Sequence, residues 1–254
     1  MKPLENSLRA LRDSGRTALV PYFMAGLTDD WTLTIDALIE GGADAIEIGL
    51  PFSDPLMDGV VIQQAGTRAL ERGANLDSIL DELGKRRFSV PLIVMTYYNV
   101  LLHEGLASAA AKLHRAGVVG AIIPDLTLEE SSEWRAHCDA NDIATILMVA
   151  PSTNDSRAAS LVAATEGFAY ASARMAVTGA ASDEGSGGQV VSMIRRHSDV
   201  PAYIGIGITT PAQAAQAGQV ADGVIVGSVL VKLLMEGASM AEVTAFVASL
   251  RAAL

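Results

Sequence analysis

The sequence contains few of the side chains that build disulfides and metal sites. Its 254 residues include one cysteine, Cys138, so no disulfide can form within the chain. The four histidines, at positions 103, 114, 137 and 197, do not show the spacing of metal ligands. We therefore expect neither a metal site nor a requirement for an oxidising compartment.

Positive charge is also scarce, and long hydrophobic runs are missing. The 18 basic residues face 29 acidic ones, and the resulting net charge of −11 argues against nucleic acid as a partner. The longest uncharged run, 200–221, contains three Gln, two Pro and three Gly, which is not the composition of a membrane span. The charged amino terminus has no apolar signal core, so we expect a cytoplasmic protein with no membrane partner.

Short apolar segments alternate with helical patterns along the whole chain. This alternation predicts a parallel sheet covered by helices, and eight strand–helix units within 254 residues favour a closed barrel. The expected fold class is α/β, a TIM (β/α)8 barrel with extra helices, in a single domain over residues 1–254. The expected strands are 18–24, 45–49, 91–96, 119–123, 144–149, 168–172, 202–205 and 222–226.

Predicted helix starts and strand ends show which end of the predicted barrel carries the active site. Thr127–Glu130 and Ser239–Glu242 both have the spacing of a capping box, so a helix is expected to begin at each. Residues 97–99 are expected to be a loop. The active site of such a barrel lies at the carboxyl ends of its strands, where the loops after them gather.

The second predicted strand carries an unusual carboxylate. Side chains alternate along a strand, so Ile46 and Ile48 share one face and Glu47 lies on the other, which points into the barrel. Burying a carboxylate is costly, which favours a function, although a structural ion pair is an alternative. Asp54 and Asp58 follow in the next loop, where either one alone is also typical of an ordinary turn.

A short glycine-containing pair follows each of the last two predicted strands. Gly205-Ile-Gly207 and Gly227-Ser228 occupy the loops where such barrels commonly bind phosphate through backbone N–H groups at a short helix. Each pair by itself is equally typical of a turn. Their occurrence at both expected loops indicates a phosphate site.

The run E-I-G-L-P-F-S-D-P-L-M-D-G from Glu47 to Gly59, followed by Ile62-Gln63, resembles the signature of the tryptophan synthase alpha subunit family. The resemblance covers about residues 16–235. It implies a TIM barrel that cleaves indole-3-glycerol phosphate to indole and glyceraldehyde 3-phosphate. It also implies no cofactor in this chain, and a pyridoxal-phosphate beta subunit as partner in an alpha2-beta2 heterotetramer.

The resemblance also implies roles for individual residues. Glu47 falls on the family's acid/base glutamate and Asp58 on its indole-contacting aspartate, and both are expected to be catalytic. The positions expected to bind substrate are Tyr22, Tyr170, Thr178, Gly179, Gly207, Gly227 and Ser228. Two of these, Thr178 and Gly179, belong to a segment over 174–188 that is expected to be a lid.

Five positions depart from the family pattern: Leu27, Val60, Thr127, Ala176 and Ile206. They affect the lid, the indole pocket and the coupling to the partner, and leave both carboxylates in place. Three alternatives remain: another barrel enzyme such as a sugar-phosphate isomerase or aldolase, a non-catalytic partner, and a stand-alone lyase. A Schiff-base aldolase is disfavoured because the four lysines fall on predicted helices or at the terminus.

Overall fold

The computed structural model describes residues 1–174 and 187–254. Nine parallel strands form one sheet in the order β5-β4-β3-β2-β1-β9-β8-β7-β6. Most strand residues whose burial is described are buried, as expected for a sheet with helices outside and a packed interior. The strands are β1 (Ala18–Met24), β2 (Ile46–Gly49), β3 (Leu92–Met95), β4 (Val118–Ile122), β5 (Ala144–Ile146), β6 (Met148–Val149), β7 (Ala169–Arg174), β8 (Ala202–Ile206) and β9 (Gly223–Val226).

The sheet closes into a barrel because its two end strands are consecutive in the chain. Only Leu147 separates β5 from β6, and its carbonyl accepts a hydrogen bond from Tyr170 N–H at 3.0 Å. Its own N–H donates to Thr165 Oγ1 at 2.8 Å, outside the strand ladder. The predicted fifth strand is therefore one strand interrupted at Leu147, and the eight-stranded TIM barrel predicted from the sequence is confirmed.

Twelve helices lie within the described ranges. Most connect successive strands on the outside of the barrel, as the crossover of a parallel pair requires. They are α1 (Pro3–Asp13), α2 (Thr32–Glu40), α3 (Val60–Glu71), α4 (Leu76–Gly84), α5 (Tyr98–Glu104), α6 (Leu106–Arg115), α7 (Ser132–Asp139), α8 (Asp155–Ala164), α9 (Gly187–His197), α10 (Pro211–Gly218), α11 (Ser228–Met235) and α12 (Met240–Ala253). Over the described residues, none of them is long and apolar enough to cross a membrane.

Helix α1 packs into the amino-terminal end of the barrel. Leu4 and Leu8 are buried there. A Cβ added at Gly120 or at Gly167 would lie 2.7 or 2.9 Å from Leu4 Cδ2, which is closer than real Cβ atoms approach a neighbour. These two glycines therefore make room for the Leu4 side chain, and the opposite end of the barrel is left for the site.

Three carboxylates fix the starts of neighbouring strands. Each lies just before a strand, and its carboxylate oxygen accepts the N–H of a residue at the start of the strand beside it. In return, the backbone N–H of the acidic residue donates to the backbone carbonyl of the same partner. Such paired bonds set the register. The pairs are Asp44 with Leu19 (2.8 and 2.9 Å), Glu166 with Thr145 (3.0 and 2.9 Å) and Asp222 with Ala202 (2.8 and 2.9 Å).

Two sequence predictions about helices are wrong. The sequence predicts a loop over residues 97–99, but α5 begins at Tyr98. The helix predicted at Thr127 begins instead at Ser132: Glu130 N–H bonds the Thr127 carbonyl, so Thr127 Oγ1 donates to the Glu130 carboxylate rather than capping a helix. The Ser239 prediction is confirmed, since Ser239 Oγ accepts from Glu242 N–H and caps α12.

Candidate active site

Glu47 lies inside the barrel on β2. Its side chain is 1% exposed, and in register it faces Tyr22 on β1. Tyr170 lies on β7, which is four strands away through β1, β9 and β8, yet its pKa is raised partly by the Glu47 charge. An interaction between strands so far apart in the sheet passes through the barrel interior, so the carboxylate is directed there.

The surroundings of the Glu47 carboxyl favour its protonated form. No donor within residues 1–174 and 187–254 reaches its Oε2 atom. Burial raises the pKa of Glu47 to about 8, and the nearby Asp58 charge adds to the shift. The group is therefore mostly protonated at neutral pH, which suits a general acid that becomes a base after giving up its proton.

Asp58 lies half-buried in the loop between β2 and α3. Burial raises the pKa of Asp58, whereas a hydrogen bond from the Tyr97 side chain lowers it. Its backbone carbonyl accepts a hydrogen bond from Gln63 Nε2 at 2.9 Å. Asp58 lies in a cleft whose other walls are mainly apolar and aromatic: Tyr22, Met24, Leu50, Phe52, Pro55, Ile62, Gly66, Met95, Thr96, Tyr97 and Pro124. A carboxylate within an apolar cleft of this kind is suited to bind a flat apolar ring that carries a polar N–H group.

Glycines on neighbouring strands make room for the tyrosines of the interior. A Cβ at Gly49 would lie 2.1 Å from the Tyr22 hydroxyl, and one at Gly205 would lie 2.0 Å from the Tyr170 hydroxyl. Burial raises the pKa of both tyrosines well above the ordinary value, with nearby negative charge adding to it. Both therefore present neutral hydroxyl groups near Glu47.

The predicted phosphate-binding residues lie at the ends of two adjacent strands. Gly207 directly follows β8 and has a φ of 81°, a conformation that favours glycine. Gly227 is the N-cap of α11 and Ser228 is its first residue, so free backbone N–H groups are available there. A Cβ at Gly227 would lie 3.3 Å from the Tyr22 ring, which places this helix start beside the site.

Three of the predicted lid positions, Ala176, Thr178 and Gly179, lie outside the described residues. For Ile206 the structure describes the backbone within β8. The remaining predicted site residues belong to β1, β2 and β7 or to the segments that follow β2, β8 and β9. Those within strands are Tyr22, Glu47 and Tyr170, and those after strands are Asp58, Gly207, Gly227 and Ser228.

The sequence did not single out Tyr97, which contacts the loop that carries Asp58. Its hydroxyl accepts a hydrogen bond from Met57 N–H at 2.9 Å, and its ring stacks on Phe52 with centroids 5.2 Å apart. Burial is the main cause that raises the pKa of Tyr97 to about 12. The available signal was its position directly after an apolar strand, at the end of the barrel where active sites lie.

Comparison with known proteins agrees with this geometry. Residues 8–252 match the family model described as tryptophan synthase alpha chain. The tryptophan synthase alpha chain of Streptomyces avermitilis is 40% identical over 238 residues, which cover 92% of this chain and 86% of that protein. That of Chloroflexus aggregans is 40% identical over 240 residues, covering 92% of this chain and 90% of that protein.

Solved structures give the same result. Ligand-free tryptophan synthase from M. tuberculosis superposes with a TM-score of 0.90 at 35% identity, covering 100% of this chain and 99% of that one. Tryptophan synthase subunit alpha from Legionella pneumophila gives a TM-score of 0.88 at 28% identity, covering 100% and 98%. On sequence and structure alike, this chain belongs to the tryptophan synthase alpha chain family.

Proposed function

We propose that Glu47 and Asp58 are the catalytic pair of this chain. As a member of its family the chain is a lyase of tryptophan biosynthesis, and it cleaves indole-3-glycerol phosphate to indole and glyceraldehyde 3-phosphate. The observation that carries the residue assignment is the Glu47 carboxyl, which is buried inside the barrel, raised in pKa and close to a second carboxylate.

In the proposed mechanism Glu47 takes part in two successive proton transfers. Its carboxyl donates a proton to indole C3, and the resulting carboxylate accepts the proton of the glycerol hydroxyl next to the breaking bond. The carbon–carbon bond breaks, its electron pair returns to the indole ring, and the hydroxyl carbon becomes the aldehyde of glyceraldehyde 3-phosphate. Since the raised pKa keeps Glu47 protonated near neutral pH, it starts the cycle in the required state.

Asp58 is assigned to the positive charge that develops on the ring. Protonation of C3 leaves the indole nitrogen cationic, and a carboxylate at its N–H stabilises this intermediate. Asp58 lies in an apolar cleft, where such an interaction is stronger than in water. Tyr22, which lines the same cleft, and Tyr170 are also proposed to contact the substrate.

The phosphate group is assigned to the ends of β8 and β9. Gly207, Gly227 and Ser228 offer backbone N–H groups, and the start of α11 adds its dipole. Thr178 and Gly179, outside the described residues, are proposed to complete this end of the site on the basis of the family resemblance alone.

We further propose a beta subunit as partner, in an alpha2-beta2 heterotetramer. The family to which the chain belongs does not itself bind pyridoxal phosphate, and we assign this cofactor to the partner. The docking face comprises the loop 51–54 and Asn99. Beside it, Leu56, Met57 and Val60 are 88%, 62% and 67% exposed, an apolar surface that a partner would cover.

The assignment of Asp58 is tested with a matched pair of variants in one loop. Asp58→Asn and Asp54→Asn make the same chemical change, but Asp54 is exposed and bonds only Ser53 among the described side chains. In the isolated chain, Asp58→Asn is expected to lower turnover about 10²-fold or more, leaving the binding of glycerol phosphate nearly unchanged, whereas Asp54→Asn changes neither. Equal losses in turnover and binding for Asp58→Asn would show that it is a structural loop residue.

Dependence on the partner is tested separately. We expect weak cleavage by the isolated chain and strong activation by a cognate beta subunit, because docking favours the closed state of the site. Indole release is measured with and without that subunit. Fast cleavage that the subunit does not change would favour a stand-alone lyase.

A further inference from the structure

Tyr97 touches the Asp58 loop at both of its ends. Its ring stacks on Phe52 near the beginning of the loop, at 5.2 Å between centroids with an interplanar angle of 30°. Its hydroxyl oxygen accepts the Met57 N–H near the end of the loop, at 2.9 Å. Tyr97 itself is 5% exposed and stands between β3 and α5, two regular elements. The loop is therefore attached to a rigid part of the barrel through this side chain.

The phenol proton of Tyr97 is left for a second partner. A hydroxyl that accepts a backbone N–H still has its own proton to donate. The Asp58 carboxylate belongs to the next residue after Met57 and lines the same cleft as Tyr97, and interaction with the Tyr97 side chain lowers the pKa of Asp58. Gln63 Nε2 bonds the backbone carbonyl of Asp58 and not its carboxylate, which leaves the carboxylate open to the Tyr97 hydroxyl.

We propose that Tyr97 is a positioning residue for the reaction, which orients the Asp58 carboxylate toward the indole N–H through a hydroxyl anchored on Met57 N–H. This inference rests on the proposed role of Asp58. It makes the loop and its carboxylate one pre-organised unit, so the transition state does not have to order them. The ring of Tyr97 packs against the loop, and its hydroxyl orients the Asp58 carboxylate.

The variant Tyr97→Phe separates these two contributions, because it keeps the stacking on Phe52 and removes only the hydroxyl. A lost hydrogen bond to a charged group predicts a fall in kcat of about tenfold or more. The dissociation constant of glycerol phosphate, which is bound at the other end of the site, is expected to stay unchanged. Tyr98→Phe is the matched control, since the charges near its hydroxyl are those of Glu130 and Glu133, away from Asp58.

The pH profile gives a readout that packing alone would not change. The groups that face Asp58 are Glu47 on β2, Tyr22 on β1 and Tyr97 before α5, while Asp125 acts on Tyr97 from the loop after β4. A donor to the ionised carboxylate lowers the pKa of Asp58, so removing it raises that pKa. Cleavage requires ionised Asp58, and its acidic limb is therefore expected to move to higher pH in Tyr97→Phe.

A double-mutant cycle decides between positioning and direct contact with substrate. Single-turnover cleavage of indole-3-glycerol phosphate is measured for the wild-type chain, Tyr97→Phe, Asp58→Asn and the double variant. We expect Tyr97→Phe to cost little in the Asp58→Asn background. An equal cost in both backgrounds, or no cost in either, would overturn the inference. Failure of Asp58→Asn itself to slow cleavage would instead overturn the assignment of Asp58.

Discussion

Glu47 is expected to destabilise the folded chain at alkaline pH, and Glu47→Gln removes this penalty. The pKa of Glu47 is about 8 in the folded chain, against an ordinary value of 4.5 for an exposed glutamate. Below pH 4.5 both states are protonated and no penalty exists. Between these two values the unfolded chain releases a proton that the folded chain keeps, so stability falls with rising pH. Above pH 8 the penalty reaches its limit, roughly 5 kcal/mol from the size of the shift.

The assay compares urea unfolding of the wild type and Glu47→Gln at pH 5 and pH 9. The stability gained by the variant is expected to be larger at pH 9, by up to a few kcal/mol; comparing the two pH values cancels the constant effect of the amide. Glu242→Gln is the control, because hydrogen bonds from Ser239 lower the pKa of Glu242 and its contribution is constant across this range. An equal gain at both pH values for Glu47→Gln would refute a raised pKa.

Three further predictions follow from single contacts. Gly49→Ala is expected to destabilise the chain by about 1–3 kcal/mol and to slow cleavage, because the added Cβ would lie 2.1 Å from a tyrosine hydroxyl. Gly84→Ala is the control, since its Cβ would have only ordinary contacts near 3.9 Å, and it should be neutral or stabilising in thermal unfolding. Ser239→Ala is expected to cost about 1 kcal/mol in urea unfolding as a lost helix cap, and Thr127→Ala clearly less, since Thr127 caps no helix. Cleavage is expected to fall as the pH rises through about 8, where Glu47 loses its proton; a rate unchanged up to pH 10 would contradict its role as the acid.

The sequence predicted the barrel well because strand patterns are local. The first strand, Ala18–Met24, has the predicted bounds, and the others differ by a few residues. We infer that residues 1–254 form a single domain, since one hydrophobic cluster includes residues from Leu4 to Leu250. The break at Leu147 could not be predicted, because it depends on Thr165, which is distant in the sequence.

Sequence spacing predicted helix starts less well where the backbone could form a turn hydrogen bond instead of a helix cap. Thr127 and Glu130 have capping-box spacing, but the Glu130 N–H bonds the Thr127 carbonyl and a turn results. The interior position of Glu47 followed from alternation along one strand. The contacts of Tyr97 with Phe52 and Met57 join residues 40 or more positions apart, so no local pattern could reveal them.

The most direct test of the account is the reaction of the wild-type chain and Glu47→Gln with indole-3-glycerol phosphate under single-turnover conditions. Indole and glyceraldehyde 3-phosphate are both quantified, and glycerol phosphate binding confirms that the variant is folded. We expect equal amounts of the two products from the wild type and a rate about 10²–10⁴-fold lower in Glu47→Gln. A folded variant that cleaves at nearly the wild-type rate would contradict the proposal that Glu47 moves the proton.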